Sequence, residues 1–345
     1  MRFEKLLQGL WVSVSAMVFS AGVLAAPAVE PVNVDNFKRV ESDLYFAKFV
    51  KDGAFGAFSH ARAPIPVEKQ EVIRMNRDTL YSYAVADLAA GPVTVTLPES
   101  GSRFMALQVI NEDHYTPQVV YGKGEYRFTE KEVGTRYVLF LVRTFVDPES
   151  KADLAAVHAV QDGMKLSQGA SAKFAIPAWD QARAKKIREA LNNLAAANGG
   201  LDSARMFGPK EEVDVVQHLI GTAAGWGGNP RRDAMYAGAA PEKNDGKTAY
   251  TITVKDVPVD GFWSISVYNA KGFFEKNALG RYSLNNVTAA KNADGSVTVQ
   301  FGGCTAAIKN CIPVSKGWNY LVRLYRPRAE ILDGSWTFPK PTPLH

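Results

Sequence analysis

Strand-like runs stand in two separated groups along this chain, and that layout limits its possible folds more than any other feature. The first group covers 71–76, 79–88, 93–97, 103–110, 115–121 and 137–146, short β-rich segments punctuated by Gly, Pro, Asn and Asp as turns require. The second covers 248–255, 262–269, 296–301 and 319–326. Between them, from about 148 to 225, the chain is rich in Ala, Lys and Gln at helical spacing. Asp180 is placed to cap a helix running to about Asn198, where Gly199 and Gly200 stop it, and 211–224 reads as another. A leading helix is predicted over 34–50, because Phe37, Val40, Leu44, Ala47 and Val50 recur at three- and four-residue spacing. Asn292-Ala293-Asp294-Gly295 reads as a hairpin turn, since Asp-Gly tolerates positive φ.

The expected fold is α+β, mainly β: two antiparallel β-sandwich or jelly-roll-like domains with a helical segment between them. The expected boundaries are 33–147 for an N-terminal β domain with its leading helix, 148–225 for the helical segment and 226–345 for a C-terminal β domain.

Residues 1–26 carry an address. Arg2 and Lys5 precede an almost uncharged run from Leu6 to Ala26 that ends in small residues before Pro27, the order of a secretory signal. The run also approaches the roughly 20 residues that cross a bilayer. Gly9, Gly22 and the interspersed Ser and Gln weaken it as an anchor, and its Ala-rich end suits a peptidase. The expected location is periplasmic or secreted, with no stable membrane span after cleavage.

With 46% hydrophobic and 22% charged residues, the chain has globular rather than disordered composition. Its net charge of +5 is spread along the sequence, with short basic clusters at 183–188 and at Arg231 and Arg232. A nucleic-acid partner, which calls for a concentrated basic element, is therefore not expected. Partners compatible with the sequence are a small-molecule ligand and a second copy of the chain. The two cysteines, Cys304 and Cys311, are close in sequence and flanked by glycines, so a disulfide closing a small loop is expected in an oxidising compartment.

Several catalytic machines are absent from the sequence: a phosphate-binding glycine loop, a His-Glu-x-x-His zinc helix, a Gly-x-Ser-x-Gly elbow and a Ser-x-x-Lys pair. No cofactor is implied. The five histidines are scattered, so no metal site is read from spacing. Asn111-Glu112-Asp113-His114 is the densest ligand-like cluster, and reads either as a polar strand end or as a metal or acid/base group.

More telling are arginines within apolar strands, because an unpaired buried charge is very costly. If 73–83 were one strand, Arg77, Thr79, Tyr81 and Tyr83 would share a face, with Asn76 and Asp78 on the other. Arg323 lies between Leu321 and Tyr325, and Arg143 between Leu141 and Phe145. Guanidinium groups beside tyrosines suit an anionic or hydroxyl-rich ligand. They suit equally an internal network with Asp78, Asp87, Glu275 or Asp333. The aromatics Trp226, Trp263, Trp318, Trp336, Tyr268 and Tyr282 read either as a stacking platform or as core.

The candidate ligand-binding set is Asn76, Arg77, Asp78, Tyr81, Trp263, Tyr268, Arg281, Tyr282, Arg323 and Tyr325. If the protein is hydrolytic, Asp78 or Asp113 would be its general base. The alternative is a non-catalytic envelope module in which the Arg/Asp network is structural.

Asn76-Arg77-Asp78-Thr79-Leu80-Tyr81-Ser82, preceded by the segment Val40 to Ala47, resembles the family that pairs domains of unknown function 1254 and 1214. Gly261-Phe262-Trp263-Ser264, Val267-Tyr268-Asn269, Arg281-Tyr282, Arg323-Leu324-Tyr325 and the segment Ile331 to Trp336 extend the likeness over about 36–340. The resemblance implies two β-sandwich or jelly-roll-like domains with a helical portion, often exported by bacteria, and carries over no catalytic residue. The Cys304 to Cys311 loop looks like a local elaboration.

Overall fold

The computed structural model describes residues 28–70, 73–170, 173–198 and 201–344; the expected secretory signal over 1–26 lies outside them. The protein is mainly β, with antiparallel sheets and, among the described residues, seven α-helices.

In the N-terminal half, Thr79–Asp87 pairs with Tyr137–Phe145, which pairs with Met105–Asn111 and so to Gln118–Tyr121, all antiparallel; Ser59–His60 closes the other edge. A three-stranded sheet joins Gly124–Phe128, Val93–Leu97 and Lys165–Gln168. One apolar cluster draws on both sheets, with Val93, Val95 and Leu97 from the smaller and Leu107, Val109, Phe140 and Val142 from the larger. In the C-terminal half, Ala234–Ala239, Asn319–Tyr325, Trp263–Tyr268 and Ser283–Asn285 form one antiparallel sheet. Tyr250–Val254 and Val297–Phe301 lead the other, with Cys311–Ile312 added in parallel. Trp263, Val299, Phe301, Trp318 and Val322 fill the space between these two sheets.

Burial separates two kinds of strand. Val93–Leu97 and Val297–Phe301 alternate buried and half-buried side chains, as strands with one wet face do. Tyr137–Phe145, Met105–Asn111 and Trp263–Tyr268 are buried throughout, because something covers their second face. In the first half that cover is partly the helix Phe37–Lys51, whose Phe46 packs on Val85, Ile110 and Leu139. Phe55, Phe174, Ile176 and Trp226 add to it, and the C-terminal half covers the far end: Phe145 and Phe104 pack with Ala234, Phe262 and Tyr325, and Met75 packs with Tyr268, Phe274 and Leu321. The two halves thus meet over an apolar seam.

The predicted helices form as Phe37–Lys51, Gln181–Ala197 and Val215–Ala224, the latter two capped by Asp180 and Asp214, whose carboxylates accept backbone N–H bonds. The segment between the two sheet groups holds strands as well as helices. Lys165–Gln168 joins the N-terminal sheet, and Ala178–Trp179 pairs with Val29–Glu30. The expected strand over 71–76 does not form in its described part: residues 73–74 turn, and Arg74 takes φ +54°. The sequence Asn292 to Gly295 makes the expected tight turn, with Gly295 at φ +84°, but the strand before it, Ser283–Asn285, pairs with Trp263–Tyr268 and the strand after it with Tyr250–Val254, so no hairpin forms.

Candidate functional site at the seam

The period-two reading holds for the two central arginine strands. Along Asn319–Tyr325, Tyr320, Val322 and Leu324 point into the C-terminal core, and Leu321, Arg323 and Tyr325 point into the seam. Arg323 is buried, and its partners come from both halves. Nη1 donates to Ser266 Oγ at 2.9 Å, and Nη2 donates to the Arg74 carbonyl at 2.7 Å, the Met75 carbonyl at 3.2 Å and the Tyr268 hydroxyl at 2.8 Å. The Tyr268 hydroxyl in turn donates to the Met75 carbonyl. Burial opposes the guanidinium charge, but Tyr268, Tyr325 and Asp78 outweigh it and hold Arg323 firmly protonated.

Beside it, the Asn76 amide donates to Thr79 Oγ1 at 3.0 Å, the Tyr81 hydroxyl at 3.3 Å and the Tyr325 hydroxyl at 3.0 Å, so one side chain ties the halves together. Burial pushes both phenols up; for Tyr81, however, Arg143, Asn76 and Thr79 win and bring it below its usual value. Tyr325 stays well above, with Tyr236 adding to the rise. Arg143 is also spent inside the fold, on Gln108 Oε1 at 2.5 Å and the Gly227 carbonyl at 2.7 Å, with its guanidinium over the Tyr81 ring. Gln108 donates to the Gly228 carbonyl and to Thr116. Only glycine fits at 228, where an added Cβ would lie 2.3 Å from the Phe207 ring.

The structure corrects two expectations here. Arg77 precedes the strand Thr79–Asp87 and shares no face with Tyr81; Asn76, expected on the opposite face, is the residue that meets Tyr81. The buried arginines are held by carbonyls, hydroxyls and a glutamine in place of direct ion pairs with the expected carboxylates. Asp87 pairs with Arg136, Glu275 accepts from Ser315, and Asp333 accepts from Ser335.

A cavity of about 260 Å³ opens beside this network. Its wall brings together Arg77, Asp78, Arg281 and Tyr282 from the candidate set, with Asp147, Glu149, Asn285 and Thr288. Arg77 is half-buried, donates Nη1 to the Ile65 carbonyl and lies over the Tyr282 ring. Arg281 donates to the carbonyls of Ile308 and Ala306. Asp78 is 1% exposed, and burial raises its carboxyl pKa; Arg323, Ser264, Asn285 and Arg77 offset part of that rise, yet no hydrogen bond of good geometry reaches Oδ2. A buried carboxylate oxygen without a donor is an expensive arrangement for a fold to keep. A smaller cavity of about 90 Å³ shares Arg281 and Tyr282 with the first, and its lining includes Tyr268, Glu275, Lys276 and the segment Ile312 to Ser315.

The remaining candidates fall elsewhere. Trp263 belongs to the C-terminal core with Trp318 and Trp336, so these indoles form no platform, while Trp226 stacks on Tyr45 at 4.2 Å. In the cluster from Asn111 to His114, Glu112 accepts the Tyr137 N–H, Asp113 pairs with Arg39, and His114 accepts the Gly227 N–H while bonding Thr222. Asp113 does not line either cavity. The sequence reading missed Gln108, Asp147, Glu149 and Thr288. All but Gln108 sit in loops or turns, where no periodicity marks them; Gln108 carried a signal, a polar residue inside an apolar strand.

The fold and seam define a two-lobed, largely antiparallel β protein whose lobes share a buried arginine–tyrosine network. Residues 55–125 match the family described as Protein of unknown function (DUF1254), and residues 233–329 match Protein of unknown function (DUF1214). The chain therefore pairs these two domains, as its motifs suggest. Among solved structures it is similar to a protein of Vibrio parahaemolyticus at 17% identity and TM-score 0.69, covering 90% of this chain and 98% of that one. It is also similar to an uncharacterised protein of Burkholderia cenocepacia at 15% identity and TM-score 0.51, covering 90% and 87%. These likenesses speak to the fold alone. No curated protein matches the chain.

Proposed function

We propose that this is an exported protein that binds a small polar ligand in the seam cavity, with Asp78 as the polar anchor. The observation that carries this reading is the buried Asp78 carboxylate, left without a donor on Oδ2 at the wall of a cavity that also gathers Arg77, Arg281 and Tyr282. A ligand hydroxyl or ammonium would supply the missing donor. The cavity is smaller than the roughly 300–1,000 Å³ of drug-sized sites, which favours a small molecule. Two arginines face three carboxylates, Asp78, Asp147 and Glu149. That balance favours a sugar, polyol or zwitterion over a simple anion.

Export is supported by the signal-like pattern of residues 1–26 and by the Cys304–Cys311 disulfide. Among the described residues no helix is long and apolar enough to cross a membrane. The two sheet pairs, each sharing one apolar cluster, support a β-sandwich reading of each lobe. A structural reading applies to the other two arginines: Arg143 and Arg323 bond through both Nη atoms inside the fold, and their role is to join and hold the lobes.

The test is a thermal-shift and calorimetric screen of the intact chain against glucose, glycerol, glycine and inorganic phosphate. Glucose, glycerol or glycine is expected to raise the melting temperature, and the rise should vanish in Arg77→Ala and Asp78→Asn. Absence of any response across the screen, or an Arg77→Ala protein that still responds fully, overturns the reading.

A further inference from the structure

Arg281 joins the cavity wall to the loop that the Cys304–Cys311 disulfide closes. Nη1 of Arg281 donates to the Ile308 carbonyl at 2.6 Å and Nη2 to the Ala306 carbonyl at 3.4 Å, so the guanidinium rests on carbonyls inside the seven-residue span of the bridge. Arg281 lines both cavities, and the chain leaving Cys311, Ile312 to Ser315, forms one wall of the smaller.

At the Cys311 end, Asn310 takes φ +44°, its side chain donates to the carbonyls of Ala290 and Thr298 and accepts from the Ala290 N–H, and Cys311–Ile312 pairs with Val297–Phe301. The middle of the loop is exposed from Thr305 to Ala307 and again at Lys309. Within it the Ile308 N–H donates to the Thr305 carbonyl, and the bridge ties its two ends together. The Arg281 main chain is fixed independently, since Asn277 bonds both its N–H and its carbonyl, so the loop governs only where the guanidinium sits.

We infer that the disulfide is a redox-sensitive positioning device: the oxidised loop holds Arg281 in the cavity wall, and reduction releases its side chain and opens the site. The step balances as thiol–disulfide exchange. A dithiol reductant attacks a sulfur of the bridge, the Sγ–Sγ bond breaks, two thiols form on Cys304 and Cys311, and the reductant closes to its own disulfide. Cys304 is half-buried and Cys311 buried, so attack falls on the Cys304 sulfur. The site would then be assembled only in a compartment that oxidises the chain. This rests on the seam cavity being a binding site, as proposed above.

The experiment compares oxidised protein, protein reduced with dithiothreitol, and Cys304→Ser/Cys311→Ser. Two readouts need no ligand: modification of Arg281 by phenylglyoxal, with Arg77 as the internal reference, and tryptic cleavage after Lys309. Both should rise about tenfold in the reduced and serine forms while the rest of the molecule stays folded. A third readout, the thermal shift with glucose and glycine, should fall in the same forms. Unchanged Arg281 reactivity and Lys309 cleavage on reduction overturn the inference, whatever the thermal shift does. If oxidised protein answers neither glucose nor glycine while the first two readouts respond, the positioning device stands and the ligand class is what fails.

Discussion

Two groups of arginines meet at the same seam and end differently. Both Nη atoms of Arg323 and of Arg143 have partners within the fold, neutral acceptors on backbone or buried side chains. Arg77 and Arg281 spend part of their hydrogen-bonding on loop carbonyls and keep a face on open space, next to a carboxylate with one oxygen left over. The first group shows what a fold does with charges it needs for cohesion: it surrounds them. The second leaves a polar surface whose hydrogen bonding is incomplete within the chain, the kind of surface the proposed ligand would complete.

An orphan oxygen alone does not make a site. Oδ1 of Asp43 also lacks a partner, but Asp43 lines neither cavity and its other oxygen takes the Trp179 indole N–H. The cavity is what separates Asp78 from Asp43.

The largest expected effect tests the cohesive group. Arg323→Ala strips donors from two carbonyls and two hydroxyls in a buried seam and should cost about 3 kcal/mol or more in urea unfolding. A loss under about 1 kcal/mol would break the distinction, because it would place Arg323 with the surface-facing arginines.

Tyr325→Phe removes one hydroxyl that accepts from Asn76 and should cost about 1 kcal/mol, checked by the same titration.

Asp43 and Asp78, two of the carboxylates with an unpartnered oxygen, give a pH signature. Burial pushes Asp43 up to about 7, so the folded state holds a proton that the unfolded chain releases near pH 4. The stability from that proton is present in acid and drains away as pH climbs from the ordinary carboxylate range through about 7. Calorimetric melting of the wild type should therefore decline over that range, and Asp43→Asn should flatten the slope. Asp78 is shifted in the same direction, so Asp78→Asn should flatten it further while abolishing the ligand response.

The smallest change in stability belongs to Arg77→Ala. It loses one exposed carbonyl contact and a ring contact, so its unfolding free energy should stay within about 0.5 kcal/mol of wild type while the thermal response to ligand disappears.

Much of the fold could be read from residue order, because strands and helices advertise themselves through local pattern. Val93–Leu97 appears with its predicted bounds, and the alternation of Leu321, Arg323 and Tyr325 points where a two-residue period says. The site was only half legible. Asn76, Tyr81, Tyr268, Arg323 and Tyr325 do meet in one buried network, since charged groups inside greasy strands need nearby company. Which of them would be consumed internally depended on partners more than 200 residues away in sequence, such as Arg74 for Arg323, and no local pattern encodes that separation. Arg77 was misplaced because the segment before Thr79 turns through a left-handed Arg74 where a continuous strand was expected.

The strand Tyr137–Phe145, covered on both sides, has a practical corollary for anyone who would cut this molecule in two. Severed from its other half, the N-terminal portion would present Phe104 and Phe145 to water and leave the carbonyls of Arg74 and Met75 without the guanidinium they were matched to. Chimaeras that exchange one half between distant relatives should be insoluble unless the facing rows of side chains travel together.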